Sequence, residues 1–336
     1  MGRCCVVCAP GFVSMDSTPT RMDTMSSESL QSLIARHQAS PHALVQILRE
    51  AQTLQGWLPR ESLVEIAGAL GLGLAHVQGV AGFYRFLHTR PVGTYRVLFS
   101  NNITDRMLGN EALMRDLCER LGVTRGQVRA DGRVSIELAS CTGLCDQGPA
   151  LLVNHHHIVT RLNPGRIEHI AALIEAQVPP AQWPPEWSRV DDQIRLTDVK
   201  LGTQPAPGEA LAAAIARGPQ GTLDDLKRSK LRGRGGAGYA TATKWQLCRN
   251  APGQTHYVVW NADEGEPGTF KDRVLLTSYA DGVIEGMTIG AWVVGARRGL
   301  IYLRGEYRYL LERLQAVLQR RREQRLLGEA IQGRVG

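Results

Sequence analysis

Four glycines crowd into the stretch LRGRGGAGYATATKW (residues 231–245), at Gly233, Gly235, Gly236 and Gly238. Because glycine has no Cβ, such a loop lets backbone N–H groups approach a ligand closely, and phosphate is the usual ligand. Arg234 and Lys244 in the same stretch also suit an anionic group. A plain surface turn needs only one or two glycines. The stretch therefore predicts a phosphate-binding loop.

Two common phosphate loops do not match this stretch. A P-loop requires Lys and then Ser or Thr directly after its last glycine, whereas Tyr239 and Ala240 follow here. The G-x-G-x-x-G spacing of dinucleotide sites is met, but that motif needs a strand running into its first glycine. Residues 222–231 instead carry leucines at helical spacing. An ordinary Rossmann unit is therefore not expected.

A second polar segment, NADEGEPGTFKDR (residues 261–273), follows an apolar run that is predicted to be a strand. It places Asp263, Glu264 and Glu266 within four positions. In open α/β sheets ligands bind at the carboxyl ends of the strands, and carboxylates accept hydrogen bonds from ribose hydroxyls or flavin N–H groups. Alone, the segment is equally compatible with a solvated acidic turn. Together with the glycine loop, it indicates a nucleotide or flavin site.

Length, charge and cysteine content narrow the class of protein. The 336 residues suffice for two domains with buried cores, and no apolar run is long enough to cross a bilayer. The net charge of +7 is accompanied by no nucleic-acid recognition motif, so the arginines at 320–322 are expected to form a solvated helix face or a surface for an acidic partner subunit. Seven cysteines, an odd number at irregular spacing, argue against a disulfide framework and favour a reducing cytoplasm.

The first residues are expected to be a disordered tail, spanning 1–27, because they are rich in Ser and Thr and lack a secretory apolar core. Several methionines there offer alternative starts, at Met15, Met22 and Met25. Three cysteines of this tail are given little weight as ligands: Cys4, Cys5 and Cys8.

Apolar periodicity divides the remaining chain into four parts. Residues 28–90 have helical spacing and include an apolar helix at 77–87 that is expected to be buried. Residues 91–177 follow the order strand, helix, strand, strand, strand, helix, which predicts a small thioredoxin-like α/β layer with His155 to His157 in an exposed turn. Residues 178–207 contain six prolines and are expected to be a linker or a wrapping arm. Residues 208–336 predict a second α/β domain that carries both polar segments.

A cysteine pair lies in SCTGLCDQGP, where Cys141 and Cys145 follow a predicted strand. Two cysteines with three residues between them suit iron–sulfur ligation but supply only half of a site. Taken alone, the pair is better explained as two ordinary thiols.

The segments LRGRGGAGYATATKW and YVVWNADEGEPGTFKDRVLL resemble the flavin-binding subunit of respiratory complex I. They resemble more closely the diaphorase subunit of soluble NAD-reducing [NiFe] hydrogenases, in which an electron-transfer domain precedes the flavin domain. The resemblance implies an α/β fold: a helical segment and a thioredoxin-like ferredoxin-type domain, then the first part of a complex I-like FMN/NAD-binding domain. The family's flavin domain continues beyond the residue that matches Gly336 and adds a [4Fe–4S] cysteine set, so the chain is expected to be a fragment or the product of a split gene.

The resemblance also implies which residues bind FMN and NAD. The loop glycines with Arg234 and Lys244 match the phosphate side, and Tyr239 stands where the family has Phe, an aromatic that could stack on nicotinamide or adenine. The flavin-side positions are matched by Asn261, Asp263 and Glu264, and a position on the NAD side by Glu266. No side chain is expected to act as an acid or base in hydride transfer.

Complex I-like domains hold a [2Fe–2S] cluster with Cys-x4-Cys and Cys-x3-Cys pairs. Cys141 and Cys145 match the second pair, whereas Ser100 and Asp105 stand at the first. Iron–sulfur clusters select soft thiolates, which neither residue supplies. We therefore expect no stable [2Fe–2S] cluster in this domain.

The expected function is that of an NADH:acceptor oxidoreductase (diaphorase) moiety, which passes electrons between NAD(H), FMN and iron–sulfur centres. The expected partners are other diaphorase and hydrogenase subunits. Two alternatives remain open: a flavoprotein subunit of NADH-quinone oxidoreductase or of NAD-linked formate dehydrogenase, and a non-catalytic assembly subunit.

Overall fold

The computed structural model describes residues 3–8, 29–84, 86–197, 201–202, 204–234, 236–328, 330–331 and 334–335. They form two compact units. The N-terminal unit contains the described residues within 29–190 together with 265–269, and the C-terminal unit contains 3–8 and those within 191–264 and 270–335. Within the described part of the chain, no helix is both long and apolar enough to cross a bilayer.

Strand β1 (Arg3–Cys8) is the first element of the C-terminal unit. It lies within the stretch that was expected to be a disordered tail, so that expectation is wrong for these six residues. The sequence RCCVVC contains two β-branched valines and no Gly or Pro, which suits an extended strand. Residues 9–28 lie outside the described residues.

The N-terminal unit begins with a helical segment. Its helices are α1 (Leu30–Arg36), α2 (Leu44–Gln55), α3 (Arg60–Leu70) and α4 (Leu74–Phe83). Ser29 starts α1 because its hydroxyl accepts the N–H of Ser32 at 3.1 Å. The apolar face of each helix packs into one shared cluster. The expectation of a fully buried last helix is wrong: α4 buries Val77 and Ala81, but Phe83 is 79% exposed.

A four-stranded sheet follows, with helices packed against it. Its elements are β2 (Tyr95–Ser100), α5 (Ile103–Met107), α6 (Asn110–Leu121), β3 (Val134–Ala139), β4 (Leu151–Val153), β5 (His157–Val159) and α7 (Pro164–Glu175). The strand order is β3-β2-β4-β5, with β2 parallel to β3 and antiparallel to β4. This confirms the predicted thioredoxin-like layer.

The proline-rich segment starts as an arm that wraps this sheet domain. Trp183 and Trp187 are buried in the same hydrophobic cluster as β2 and α7. The Trp183 indole donates to the carbonyl of Val178 at 2.9 Å, and the Thr160 hydroxyl donates to that of Trp187 at 3.1 Å. Of the two expectations for residues 178–207, the arm describes residues 178–189.

The C-terminal unit is built on a parallel three-stranded sheet of order β1-β7-β6. Its further elements are α8 (Glu209–Ser229), α9 (Thr241–Asn250), β6 (Tyr257–Ala262), α10 (Lys271–Ser278), α11 (Ala280–Val294), β7 (Arg298–Leu303), α12 (Leu311–Glu323), β8 (Ala330–Ile331) and β9 (Arg334–Val335). A kink at Gly218, whose φ is +74°, divides α8 into two helical parts, and the second part contains most of the leucines at helical spacing noted in residues 222–231.

One arginine of the 320–322 run does not form a solvated face. Arg321 is completely buried, where its guanidinium contacts the carboxylate of Asp281 and donates to Glu285 at 3.1 Å. Glu285 also accepts the backbone N–H groups of Gly208 and Leu211 at 2.7 and 3.0 Å. The expectation for Arg321 is wrong because the buried carboxylate of Glu285 and the half-buried one of Asp281, both on α11, pair with its cation inside the unit.

Candidate functional site

The glycine loop is a closed turn between α8 and α9. The N–H of Gly233 donates to the carbonyl of Tyr239 at 2.8 Å, and the N–H of Thr241 donates to that of Leu231 at 3.0 Å. The Arg232 guanidinium spans the turn and donates to the carbonyl of Gly238 at 3.0 Å. These bonds hold the loop directly in front of the N-terminus of α9.

Two loop glycines adopt backbone conformations that side chains resist. Gly236 has a φ of +104° and Gly238 a φ of +60°, and a Cβ at either position would meet no heavy atom within 4 Å. Open space beside a strained backbone is what a ligand-facing glycine requires. Gly235 lies outside the described residues.

Polar and aromatic side chains surround the loop. Arg234 and Lys244 are exposed, with Lys244 in the first turn of α9. Tyr239 is 51% exposed. The α9 helix is held against α11 by Trp245, whose ring would lie 3.2 Å from a Cβ at Gly290.

The acidic segment begins where β6 ends. Asn261 is exposed, and its side-chain oxygen accepts the N–H of Asp263 at 3.0 Å. Asp263 is half-buried. Glu266 is exposed and, with residues 265–269, belongs to the N-terminal unit.

Glu264 differs from its acidic neighbours because its side chain is fully buried. Its carboxylate accepts the N–H groups of Asp272 and Arg273 at 2.6 and 3.1 Å, which caps the N-terminus of α10. The Tyr307 hydroxyl donates to it at 3.1 Å. Burial and the charge of Glu264 raise the pKa of Tyr307 above its ordinary value. Glu264 therefore has a structural role at the start of α10, and its assignment to the flavin side stays a prediction.

The cysteine loop and the end of β2 converge at one edge of the N-terminal unit's sheet. Because β2 and β3 are parallel neighbours, the residues that follow both strands reach the same edge. The sulfur atoms of Cys141 and Cys145 lie 3.3 Å apart, and both side chains are buried. The structure thus brings together the four predicted ligand positions, which are Ser100, Asp105, Cys141 and Cys145.

Asn102 occupies the middle of this group, and the sequence did not single it out. Its amide nitrogen lies 2.6 Å from the Ser100 hydroxyl, 2.5 Å from an Asp105 carboxylate oxygen and 3.5 and 4.0 Å from the sulfurs of Cys145 and Cys141. Its side-chain oxygen caps α5 by accepting the N–H of Asp105 at 2.9 Å. Asparagine is a preferred N-cap, which is the signal that could have identified it.

The environment of this group disfavours negative charge. Burial raises the pKa of Asp105, although hydrogen bonds from Ser100, Asn102 and the N–H of Ala150 oppose the rise. The hydrogen bond to Cys141 raises the pKa of the Cys145 thiol, and burial raises it further. A side chain at Gly148 would approach an Asp105 oxygen to 2.5 Å, so the backbone closes tightly over the carboxyl.

The two units match two families of domain. Residues 30–175 match the thioredoxin-like [2Fe-2S] ferredoxin family, and residues 226–334 match the Nuo51 FMN-binding domain. The chain joins a thioredoxin-like ferredoxin domain to a Nuo51 FMN-binding domain. This confirms the predicted fold class and the predicted order of the two domains.

Similar proteins match either both units of the chain or the Nuo51-type region alone. The chain is 35% identical to the alpha subunit of the NAD-reducing hydrogenase HoxS of Cupriavidus necator over 319 residues, which are 91% of this chain and 53% of that protein. The Nuo51-type region is 43% identical over 125 residues to the NADP-reducing hydrogenase subunit HndC of Solidesulfovibrio fructosivorans, covering 37% of this chain and 25% of that one. The crystal structure of an air-oxidised NAD⁺-reducing [NiFe]-hydrogenase superposes with a TM-score of 0.70 at 37% identity, covering 84% of this chain and 49% of that chain. The chain therefore spans about half the length of these fused relatives.

The ferredoxin domain does not fit the cluster that its family name implies. Only two of the four converging groups are thiols, and the Asn102 amide fills the space between them and the two oxygen side chains. Among the described residues, no group of three or more His, Cys, Asp or Glu side chains could hold a metal ion.

The Nuo51-type domain does fit a phosphate-bearing ligand. The positive φ and open space at Gly236 and Gly238 leave backbone exposed in front of α9, and the cations of Arg234 and Lys244 are exposed beside it. This donor set suits an anionic group.

Proposed function

We propose that this chain binds FMN through its glycine loop and acts as the diaphorase moiety of an NADH:acceptor oxidoreductase. The observation that supports this most strongly is the open, positively charged glycine loop in a domain of the Nuo51 FMN-binding family. When bound, FMN supplies the exchange between two-electron hydride transfer with NADH and one-electron transfer.

In this proposal, the side chains bind FMN and NAD(H) and orient them. The loop backbone and the cations of Arg234 and Lys244 hold phosphate, and Asn261 and Asp263 offer hydrogen-bond acceptors at the carboxyl end of β6. Tyr239 offers its exposed ring for stacking on a planar nicotinamide or adenine. Glu266 offers an exposed carboxylate for NAD(H), while Glu264 supports the site from inside by fixing α10.

The extent of similarity favours a hydrogenase over the other redox complexes. The HoxS alpha subunit matches 91% of this chain, including both domains. A relative from the NADH-quinone oxidoreductase of Rhizobium meliloti, its F 2 subunit, matches 40% of this chain, at 40% identity over 136 residues and 32% of its own length. We propose other diaphorase and hydrogenase subunits as partners and the cytoplasm as the compartment, where structural disulfides are rare.

A non-catalytic assembly subunit is the second candidate, and the oxygen side chains of Ser100 and Asp105 at two cluster positions favour it. Flavin content separates the two proposals. A scaffold would be purified without flavin absorbance, whereas a diaphorase moiety binds added FMN.

The test compares two glycine substitutions in the full chain. Gly236→Val should reduce FMN affinity at least about tenfold, because a branched side chain disfavours a φ of +104° and would project into the ligand space. Gly253→Val is the matched control: Gly253 has a φ of +138° and equally open surroundings, but it precedes β6 rather than lying in the loop. Fluorescence titration with FMN measures both variants. Equal affinity of Gly236→Val and the parent chain, with unchanged circular dichroism, contradicts the proposal.

A further inference from the structure

The two buried cysteines of the ferredoxin domain are held side by side by the shape of their loop. Gly143 lies between them with a φ of +75°, a left-handed conformation that turns the loop back on itself. The same glycine donates its N–H to the sulfur of Cys141 at 3.3 Å. The N–H of Gly268, in the same unit, donates to the sulfur of Cys145 at 3.3 Å. Each sulfur is thus fixed by a backbone donor.

The separation of the sulfurs lies between that of a covalent pair and that of two metal ligands. They lie 3.3 Å apart. A disulfide requires about 2.05 Å, so the sulfurs must approach each other by roughly 1.2 Å to bond. Two thiolates on one tetrahedral zinc would stand roughly 3.8 Å apart, and the Asn102 amide occupies the space beside them.

We propose that Cys141 and Cys145 form a reversible dithiol/disulfide couple, a two-electron redox site at the position where this family of domains holds a one-electron cluster. The proposal does not depend on flavin binding by the C-terminal unit. It assigns a redox role to a domain whose ligand set does not fit the cluster.

A hydroperoxide is the oxidant class that suits the site. Each cysteine is 6% exposed, so a small oxidant, such as a hydroperoxide or a small cyclic disulfide, can reach sulfur where a protein disulfide cannot dock. Hydrogen peroxide converts one thiol to a sulfenic acid and releases one water. The second thiol then attacks that sulfur, the S–S bond forms and a second water leaves. The two thiols lose two electrons and two protons, the peroxide gains them, and a dithiol reductant reverses the change while becoming a disulfide itself.

The experiment uses the full chain, reduced and then equilibrated anaerobically with mixtures of reduced and oxidised dithiothreitol. Thiols are trapped by alkylation, and the peptide that contains residues 141–145 is weighed. We expect this peptide to lose both alkylation sites together in one two-electron transition, ending about 2 Da below the dithiol mass. The Cys118 and Cys248 peptides, which belong to different places in the fold, should stay alkylated throughout.

Two variants are treated with stoichiometric hydrogen peroxide to test which cysteines form the disulfide. Cys145→Ser should lose the 2 Da shift, and Cys141 should instead be trapped as a sulfenic acid by dimedone. Cys118→Ser should match the parent chain. The proposal is overturned if both thiols are alkylated at every ratio tested, or if the reduced protein holds stoichiometric zinc or iron that blocks alkylation until a chelator removes it.

Discussion

Glu264 illustrates how a carboxylate that looks like a ligand can be a structural group. Its carboxylate satisfies two N–H groups at the start of α10 and the hydroxyl of buried Tyr307. Arg304 donates to its backbone carbonyl at 2.6 Å, which places a buried cation beside it. The backbone of Glu264 has a φ of +33°, a conformation that a non-glycine residue holds only when its surroundings fix it.

Glu264→Ala should therefore destabilise the C-terminal unit by about 2–4 kcal/mol, because it leaves buried donors without acceptors. Hydrogen exchange of the α10 peptide, residues 271–278, measures the effect locally and should rise strongly. Glu312→Ala removes an exposed glutamate from the first turn of α12 and serves as the control. If α10 exchanges at the same rate in both variants, Glu264 does not cap it.

The sequence could identify which residues follow each strand but not which of them turn inward. The resemblance to complex I-like domains predicted that Ser100, Asp105, Cys141 and Cys145 meet. The structure supplies the reason, because parallel strands end at one edge. The position of Asn102 among them depends on the N-cap geometry of α5, a five-residue helix too short for apolar periodicity to reveal. Likewise, the polar α10 was missed, so nothing indicated that Glu264 would face a helix N-terminus.

The long, periodic elements were predictable, whereas packing between elements was not. Helices α2, α3, α6 and α7 and strands β2 and β3 follow their apolar patterns to within a few residues. The burial of Arg321 depends instead on two carboxylates of α11, which are 36 and 40 positions away in sequence. A run of three arginines on one helix gives no sign of which one faces inward.

One network ties α6, α7 and the turn before β3 together. The Arg129 guanidinium contacts the carboxylates of Asp131 and Glu175 and donates to the carbonyl of Leu121 at 3.0 Å. The hydrogen bond from Arg129 lowers the pKa of Asp131 from 3.8 to about 2 and also lowers the pKa of Glu175. Lowered pKa values in the folded state mean that the stabilisation is present above the ordinary values and is lost as the pH falls through the lowered ones.

We expect the thermal midpoint of the N-terminal unit to fall as the pH drops from about 4.5 to 2. The double variant Asp131→Asn, Glu175→Gln should flatten this fall, since it removes both groups that gain protons. Glu119→Gln, on the exposed side of α6, is the control and should keep the slope of the parent chain. Calorimetry from about pH 4.5 to 2 measures the thermal midpoint of each protein. Identical slopes of midpoint against pH in the double variant and the parent would contradict the prediction.

For the molecule as a whole, the two units are expected to exchange electrons in pairs through different groups. The C-terminal unit presents an open glycine loop with exposed cations, which supports flavin binding. The N-terminal unit has the fold of a ferredoxin domain but two thiols where a [2Fe–2S] cluster requires four good ligands. Two-electron chemistry is therefore expected in both units, and bound FMN would supply the exchange with one-electron steps.

Anaerobic iron–sulfur reconstitution of the full chain tests which redox groups each unit holds. We expect FMN to bind while the iron attributable to the N-terminal unit stays well below the roughly two atoms per chain of a [2Fe–2S] site. The physical reason is that the Ser100 hydroxyl is hard to deprotonate, while Asp105 is a hard oxygen ligand whose raised pKa disfavours the carboxylate form. Cys141→Ser, Cys145→Ser is the matched control, because it removes both thiols of the converging group and should give the same iron content. An EPR signal of a reduced [2Fe–2S] cluster in the parent chain that is lost in this control would show that two thiolates and two oxygen ligands suffice.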